Sequence, residues 1–66
     1  MTITFNGEVH QTRDNVTVAE LLAELDLEAR RVAVEVNLEL APRSQHANRV
    51  LCEGDRVEVV TLVGGG

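Results

Sequence analysis

The chain has 66 residues, 44% of them hydrophobic, and eleven acidic side chains against six arginines give it a formal net charge of -5. A chain of this length forms one domain at most, and its acidic balance argues against nucleic acid as a partner, which requires a basic face. A single cysteine excludes an internal disulfide and suits a reducing cytoplasm, and no apolar run approaches the ~20 residues of a membrane span.

The first thirteen residues predict a β-hairpin. Ile3 and Phe5 alternate with threonines, and Asn6-Gly7 follows them. This dipeptide is the strongest two-residue hairpin signal, because both residues tolerate positive φ. Residues 8–13 are the expected return strand.

A helix is predicted next, and its start is well marked. Thr17 can cap it, and Glu20 three residues later completes a T-x-x-E capping box. One apolar stripe at i, i+3, i+4 and i+7 then follows and consists of Val18, Leu21, Leu22 and Leu25. We expect this stripe to pack on a sheet.

Further strands are predicted at residues 32–36, 50–52 and 56–63, and residues 39–41 are consistent with another short one. In the last strand, alternation puts Val57 and Val59 on one face and Val60 and Leu62 on the other. A strand that is apolar on both faces indicates a central position or a side that faces a partner. The order of elements therefore predicts an α+β fold of β-grasp type over residues 1–63, a mixed sheet with one helix across one face.

Few residues are candidates for chemistry. His10 and His46 have no cysteine or histidine at metal-ligand spacing, so both are expected at the surface and no metal site is predicted. Cys52 is expected to be a small buried strand residue rather than a reactive thiol. Phe5 is the only aromatic residue, which removes base stacking as a mode of binding. No residue is predicted to be catalytic.

Three glycines, Gly64, Gly65 and Gly66, end the sequence and form its most informative segment. A glycine tail fits channels too narrow for side chains, and it presents the α-carboxylate of Gly66 on a tether of about 10 Å. A carboxylate is a poor electrophile, so a partner would have to activate it, as an acyl-adenylate made with ATP in a site that excludes water. The alternative is an ordinary frayed terminus.

The sequence resembles the ThiS-type sulfur carriers of thiamine biosynthesis, which are ubiquitin-like β-grasp proteins, over essentially its whole length. The likeness is carried by Asn6-Gly7, residues 17–22, V-E-V-N at 34–37, P-R-S at 42–44 and G-D-R-V-E-V-V-T-L-V-G-G-G at 54–66. Leu38 and Ala41 depart from the family pattern, which often has Gly and Val at these positions.

The resemblance implies a carrier without a bound cofactor, and not an enzyme. An E1-like, ThiF-type adenylyltransferase would adenylate Gly66 with ATP, and a cysteine desulfurase or rhodanese-like donor would supply the sulfur for a C-terminal thiocarboxylate. Gly64 and Gly65 would thread into partner active sites, and a ThiG-type thiazole synthase would receive the sulfur. The resemblance also implies a cytoplasmic protein that is monomeric when free.

Val60, Leu62 and Val63 are the candidate partner-docking residues, because one helix covers only one sheet face and leaves the other open. The alternative is ordinary surface apolarity, or a bulge that turns Val60 inward. Two other functions stay open. One is the sulfur-carrying small subunit of molybdopterin synthase, and the other is a ubiquitin-like modifier whose Gly66 forms isopeptide bonds to lysines.

Overall fold

The computed structural model describes residues 1–63, and the expected glycine tail, 64–66, lies outside them. Within residues 1–63, five strands form one mixed sheet in the order β2-β1-β5-β3-β4. The elements are β1 (Thr2–Phe5), β2 (Glu8–Gln11), α1 (Val18–Glu24), β3 (Val32–Val36), β4 (Glu39–Ala41) and β5 (Arg56–Thr61), with 3-10 turns at Ala29–Arg31 and Arg43–Gln45. The β-grasp layout predicted from the order of elements is confirmed.

The N-terminal hairpin turns at Asn6-Gly7, as predicted, with φ of 50° and 84° at the two residues. The return strand β2 ends at Gln11 and is two residues shorter than the expected 8–13. Arg13 belongs to the connection that follows, where its guanidinium lies 3.2 Å from the Glu20 carboxylate on α1. Arg13 therefore contacts the helix and is not a residue of the strand β2.

The helix begins as its capping box predicts. The Glu20 N–H donates to Thr17 Oγ1 at 3.1 Å, and the Thr17 N–H donates to Glu20 Oε1 at 2.9 Å. The N–H groups of Val18 and Ala19 donate to the carbonyls of Arg49 and His46, at 2.9 and 3.0 Å. The N–H groups that the first turn cannot pair internally are thus satisfied, partly by a distant loop.

The helix ends after two turns, one residue before the last member of the apolar stripe. Asp26 takes a left-handed φ of 62°, and its N–H donates to the carbonyl of Ala23. The N–H of Leu27 donates to the carbonyl of Leu22 at 2.8 Å, which completes a Schellman motif. Leu25 is the C-cap residue and still packs against the core with Leu27.

The core lies between α1 and one face of the sheet, as predicted. Its members are at most 8% exposed and are Ile3, Val16, Val18, Leu21, Leu22, Val32, Val34, Val36, Ala41, Leu51 and Val57. β5 is central, because it pairs in parallel with β1 and antiparallel with β3. The aliphatic alternation of β3 and β5 therefore supplies most of the sheet side of this core.

Three predictions about the segment before β5 are wrong. Residues 50–52 form no strand, since Val50 makes only an isolated bridge to Thr17, and Cys52 is exposed. The Cys52 N–H instead donates to Asp55 Oδ2 at 2.8 Å, so this residue opens a tight turn. His46 is buried, at 4% exposure, and its Nε2 lies 2.8 Å from the carbonyl oxygen of Ala41.

Candidate functional site

β5 leads toward the C-terminus and carries the predicted docking residues. It ends at Thr61 rather than at Val63, because Thr61 pairs with Val32, the first residue of β3. The Leu62 N–H still donates to the carbonyl of Arg31 at 2.8 Å. Val63 is 93% exposed. The chain thus leaves the sheet directly before the three glycines.

An asparagine side chain holds the middle of β5. β1 ends at Phe5, and the side-chain amide of Asn6 then pairs with the backbone of Val59, accepting its N–H at 2.8 Å and donating to its carbonyl at 3.2 Å. The amide acts here as one more peptide group of the ladder. Asn6, which the sequence identifies only as a turn residue, therefore has a second role that depends on β5 lying beside it.

A second asparagine holds the start of β5. The Arg56 N–H donates to Asn37 Oδ1 at 2.9 Å, and Asn37 Nδ2 donates to Asp55 Oδ1 at 3.0 Å. The Asn37 N–H also donates to the carbonyl of Arg56 at 2.7 Å. The strand that presents the C-terminus is therefore fixed at its first residue and again in its middle, so its end has a rigid base.

The predicted docking residues are exposed. Val60 is 63% exposed and Leu62 is 55% exposed. The register of β3 and β5 runs without a break through Val59 and Val60, which rules out the bulge that would turn Val60 inward. Their exposure agrees with strand alternation, and their role in docking, with that of Val63, stays a prediction.

Sequence reasoning missed a large exposed apolar residue of this surface, Leu40 on β4. Leu40 is 65% exposed and lies opposite Glu35 of β3, while Ala33 of β3 lies opposite Val60. We define the open face by residues of β3, β4 and the β5 segment that these pairings and strand alternation put on the side of the sheet away from α1: Ala33, Glu35, Leu40, Glu58, Val60 and Leu62. Only the register reveals this grouping, because its members come from three strands.

The turn between β3 and β4 sits beside the open face and contains a residue in an uncommon conformation. Leu38 takes a left-handed φ of 69° and is 68% exposed. Glycine adopts this φ without the steric cost that a Cβ brings. Leu38 therefore holds this turn in a conformation that glycine would adopt without that steric cost.

The described residues hold no constellation for catalysis. No group of three or more His, Cys, Asp or Glu among residues 1–63 could hold a metal ion. His46 Nδ1 is buried without a hydrogen-bond partner in this part of the chain. Cys52 lines a shallow open depression with Met1, Asp14 and Glu53.

No helix within residues 1–63 is long and apolar enough to cross a membrane.

Two carboxyl groups have perturbed acidity, and both lie away from the open face. The hydrogen bond from the Thr17 N–H lowers the pKa of Glu20, and Arg13 adds to this effect. The hydrogen bond from Arg30 and the charge of Arg31 lower the pKa of Glu28. Both groups belong to the helix and its exit, so they bear on stability rather than on the site.

Comparison with known proteins gives a consistent result. The family model described as the ThiS family matches residues 3–66. The chain is 33% identical to the sulfur carrier protein ThiS of Escherichia coli K12 over 66 residues, which cover all of both chains. The crystal structure of a thiamine biosynthesis protein (ThiS) from Geobacter metallireducens has a TM-score of 0.88, with 33% identity and full coverage of both chains.

Two relatives, both thiazole synthases, are much longer than this chain, which covers 20% of each. A thiazole synthase of Paramagnetospirillum magneticum is 42% identical over 66 residues, which are the whole of this chain and 20% of that protein. The chain therefore spans about a fifth of the length of this relative. A segment of this kind thus occurs both as a separate small protein and as part of a thiazole synthase.

Proposed function

The chain belongs to the ThiS family of sulfur carriers of thiamine biosynthesis, and on that premise we propose that it holds its sulfur as a thiocarboxylate on Gly66. The observation that carries the proposal is the end of β5, a clamped central strand that leaves the sheet at exposed Leu62 and Val63. Three glycines follow directly in the sequence. The chain is then a cosubstrate that partner enzymes modify.

The chemistry proceeds in three steps. A carboxylate oxygen of Gly66 attacks the α-phosphorus of ATP in an E1-like, ThiF-type enzyme, which forms the acyl-adenylate and releases pyrophosphate. The terminal sulfur of a protein persulfide, from a cysteine desulfurase or rhodanese-like donor, displaces AMP and forms an acyl disulfide. A thiol then attacks the sulfur that belongs to the donor protein's cysteine. The S–S bond breaks, the thiol and that cysteine form a new disulfide, and the thiocarboxylate is released.

We assign the glycines a geometric role in these steps. Gly64 and Gly65 have no side chains, so an active site that closes around the tail can exclude the water that would hydrolyse the adenylate. Val60, Leu62 and Val63 dock the rigid end of β5 and so define where the tail enters. ATP is bound by the activating enzyme and not by this chain.

A ThiG-type thiazole synthase is the proposed acceptor of the sulfur. Support comes from the two longer relatives, the thiazole synthases of Paramagnetospirillum magneticum and Magnetococcus marinus, in which a segment 42% and 39% identical to this chain is part of the same polypeptide. We place the formation of the thiocarboxylate and the transfer of its sulfur in the cytoplasm, where the free carrier is a monomer.

Deleting Gly66 tests the proposal. The deletion shortens the tail by one residue, so the terminal carboxyl group no longer lies where it reacts. Residues 1–63, which form the described fold, are unchanged. We expect ATP–pyrophosphate exchange with the activating enzyme to be abolished and the thermal midpoint to be nearly unchanged. Gln11→Ala, an exposed change on the edge strand β2, is the matched control and should exchange normally.

Mass spectrometry of the protein isolated from cells gives a second, independent readout. We expect a fraction of the chains to carry sulfur in place of one oxygen at the C-terminus. Normal adenylation of the truncated chain would contradict the role of Gly66. Conjugates of the chain with lysines of other proteins would instead identify a modifier, and stable copurification with a molybdopterin synthase large subunit would identify a subunit of that enzyme.

A further inference from the structure

Two carboxylates face each other on the open face in an unfavourable arrangement. Glu35 of β3 and Glu58 of β5 are direct partners in the antiparallel register. Like charges at such positions destabilise a sheet. Among the described residues, neither carboxylate forms an ion pair or a hydrogen bond, although Arg56 lies two residues before Glu58 on the same strand. The fold itself therefore gives no reason for this pair.

Exposed aliphatic side chains flank the pair. Leu40 lies across from Glu35 on β4, and Ala33 and Val60 form the next pair of β3 and β5 on the same face, two residues along each strand. A partner that covers these aliphatics also removes water from the two carboxylates between them. Burying unpaired carboxylates is strongly unfavourable, so a partner that binds here must bring a positive charge.

We propose that the Glu35–Glu58 pair receives an arginine side chain from the surface of thiazole synthase. A guanidinium has several N–H donors in one plane and can bond two carboxylates at once, which a point charge does less well. This inference rests on the proposed function, since thiazole synthase is the acceptor assigned there. Thiazole synthase is favoured as the occupant because two relatives of that name contain a segment like this chain.

The pair then serves specificity. In the free protein no ion pair among residues 1–63 offsets the like charges of Glu35 and Glu58, and in the complex the partner's cation neutralises them. A surface that is apolar but lacks the cation would leave both charges buried and would be rejected. The Leu40 and Val60 side chains supply contact area, and the carboxylates select which apolar surface fits.

Replacing each carboxylate by its neutral isostere tests the proposal. Glu35→Gln and Glu58→Gln should each weaken binding to thiazole synthase about threefold, and the double variant about tenfold, as expected for partly exposed ion pairs. The affinity of the double variant should also depend less on salt than that of the natural chain. The thermal midpoint should stay the same or rise, because the repulsion is relieved.

Glu8→Gln is the matched control, with the same charge change at an exposed residue of the edge strand β2, opposite Phe5. It should leave both affinity and salt dependence unchanged. Natural affinity and salt dependence in the double variant would overturn the inference while leaving the thiocarboxylate chemistry intact. A loss of affinity for the activating enzyme alone would also overturn the inference, because that result would assign the Glu35–Glu58 pair to that enzyme.

The failure of the proposed function has a different signature. If the unmodified natural chain acquired no C-terminal sulfur and did not bind thiazole synthase, the proposed acceptor would be wrong and the inference would fall with it. Binding is therefore measured first with the natural chain, by calorimetry at low and at physiological salt.

Discussion

The two faces of the sheet use the same kinds of side chain for different ends. On β5, Val57 is fully buried under α1, and Val60, three residues later, is 63% exposed. On the helix face, aliphatic side chains contact one another and exclude water, which stabilises the fold. On the open face, Leu40 and Val60 stabilise little in the free protein, so their apolar area is available for a partner. Which face a valine occupies thus decides its role.

Truncation of one side chain on each face should reveal the largest difference. Leu22 is 2% exposed in the core, and Leu22→Ala should lower the free energy of unfolding by about 2–5 kcal/mol. That is a large part of the about 3–10 kcal/mol expected for a domain of this size. Val60→Ala should change it by less than about 0.5 kcal/mol. Urea denaturation measures both, and equal losses would show that the open face also belongs to the core.

A change of polarity on the open face should separate binding from stability. Leu62→Arg places a charge among the exposed aliphatics and should weaken binding to the activating enzyme and to thiazole synthase about tenfold. The thermal midpoint should be nearly unchanged. Val9→Arg, at a 73% exposed position of β2, is the control at the far edge of the sheet. Normal binding of this variant would show that Leu62 is not part of the docking surface. Unfolding of the variant would show that Leu62 belongs to the core.

The smallest effect is expected on the helix side, from Glu20→Gln. The pKa of Glu20 lies below its ordinary value of 4.5, mainly because the Thr17 N–H bonds its carboxylate. A lowered pKa stabilises the fold above the unfolded value, and this contribution is lost as the pH falls below about 4.5 through the folded value. Glutamine keeps the capping acceptor without the charge.

Thermal unfolding at a series of pH values measures this contribution. The variant should be slightly less stable than the natural chain at neutral pH, and the gap should close as the pH falls below 4.5. A gap that persists unchanged to the most acidic pH would show that the charge of Glu20 is not its cause. Binding to thiazole synthase should be the same in both, because Glu20 lies on the side away from the open face.

Local signals account for the part of the fold that the sequence predicts correctly. The Asn6-Gly7 turn and the Thr17–Glu20 capping box each depend on residues close together in the chain, and both are present. Alternation also places Val60 and Leu62 correctly, because the period of a strand does not depend on its neighbours. The order of elements then leaves few ways to cover the apolar stripe of α1, and the β-grasp sheet is the one observed.

The errors come from contacts that hydrophobic spacing and residue type do not encode. His46 is buried because its ring bonds the carbonyl of Ala41 and its own carbonyl accepts the N–H of Ala19, and neither contact has a sequence signature. Cys52 is exposed because the Asp55 side chain bonds its N–H and forms a turn. The place of Leu40 on the docking surface depends on the pairing of β4 with β3, which hydrophobic spacing alone does not give.

The hydrogen bonds between the Asn6 side-chain amide and β5 also affect how readily this asparagine deamidates. An asparagine followed by glycine loses its side-chain ammonia most readily, because the unhindered glycine nitrogen attacks the amide carbon and forms a succinimide. In the fold, two hydrogen bonds to Val59 hold that amide away from this path. Once hydrolysed, the side chain is a carboxylate that meets the Val59 carbonyl without a proton to donate. Chemical damage at Asn6 would therefore accumulate in molecules that unfold and would loosen the strand that carries the reactive end.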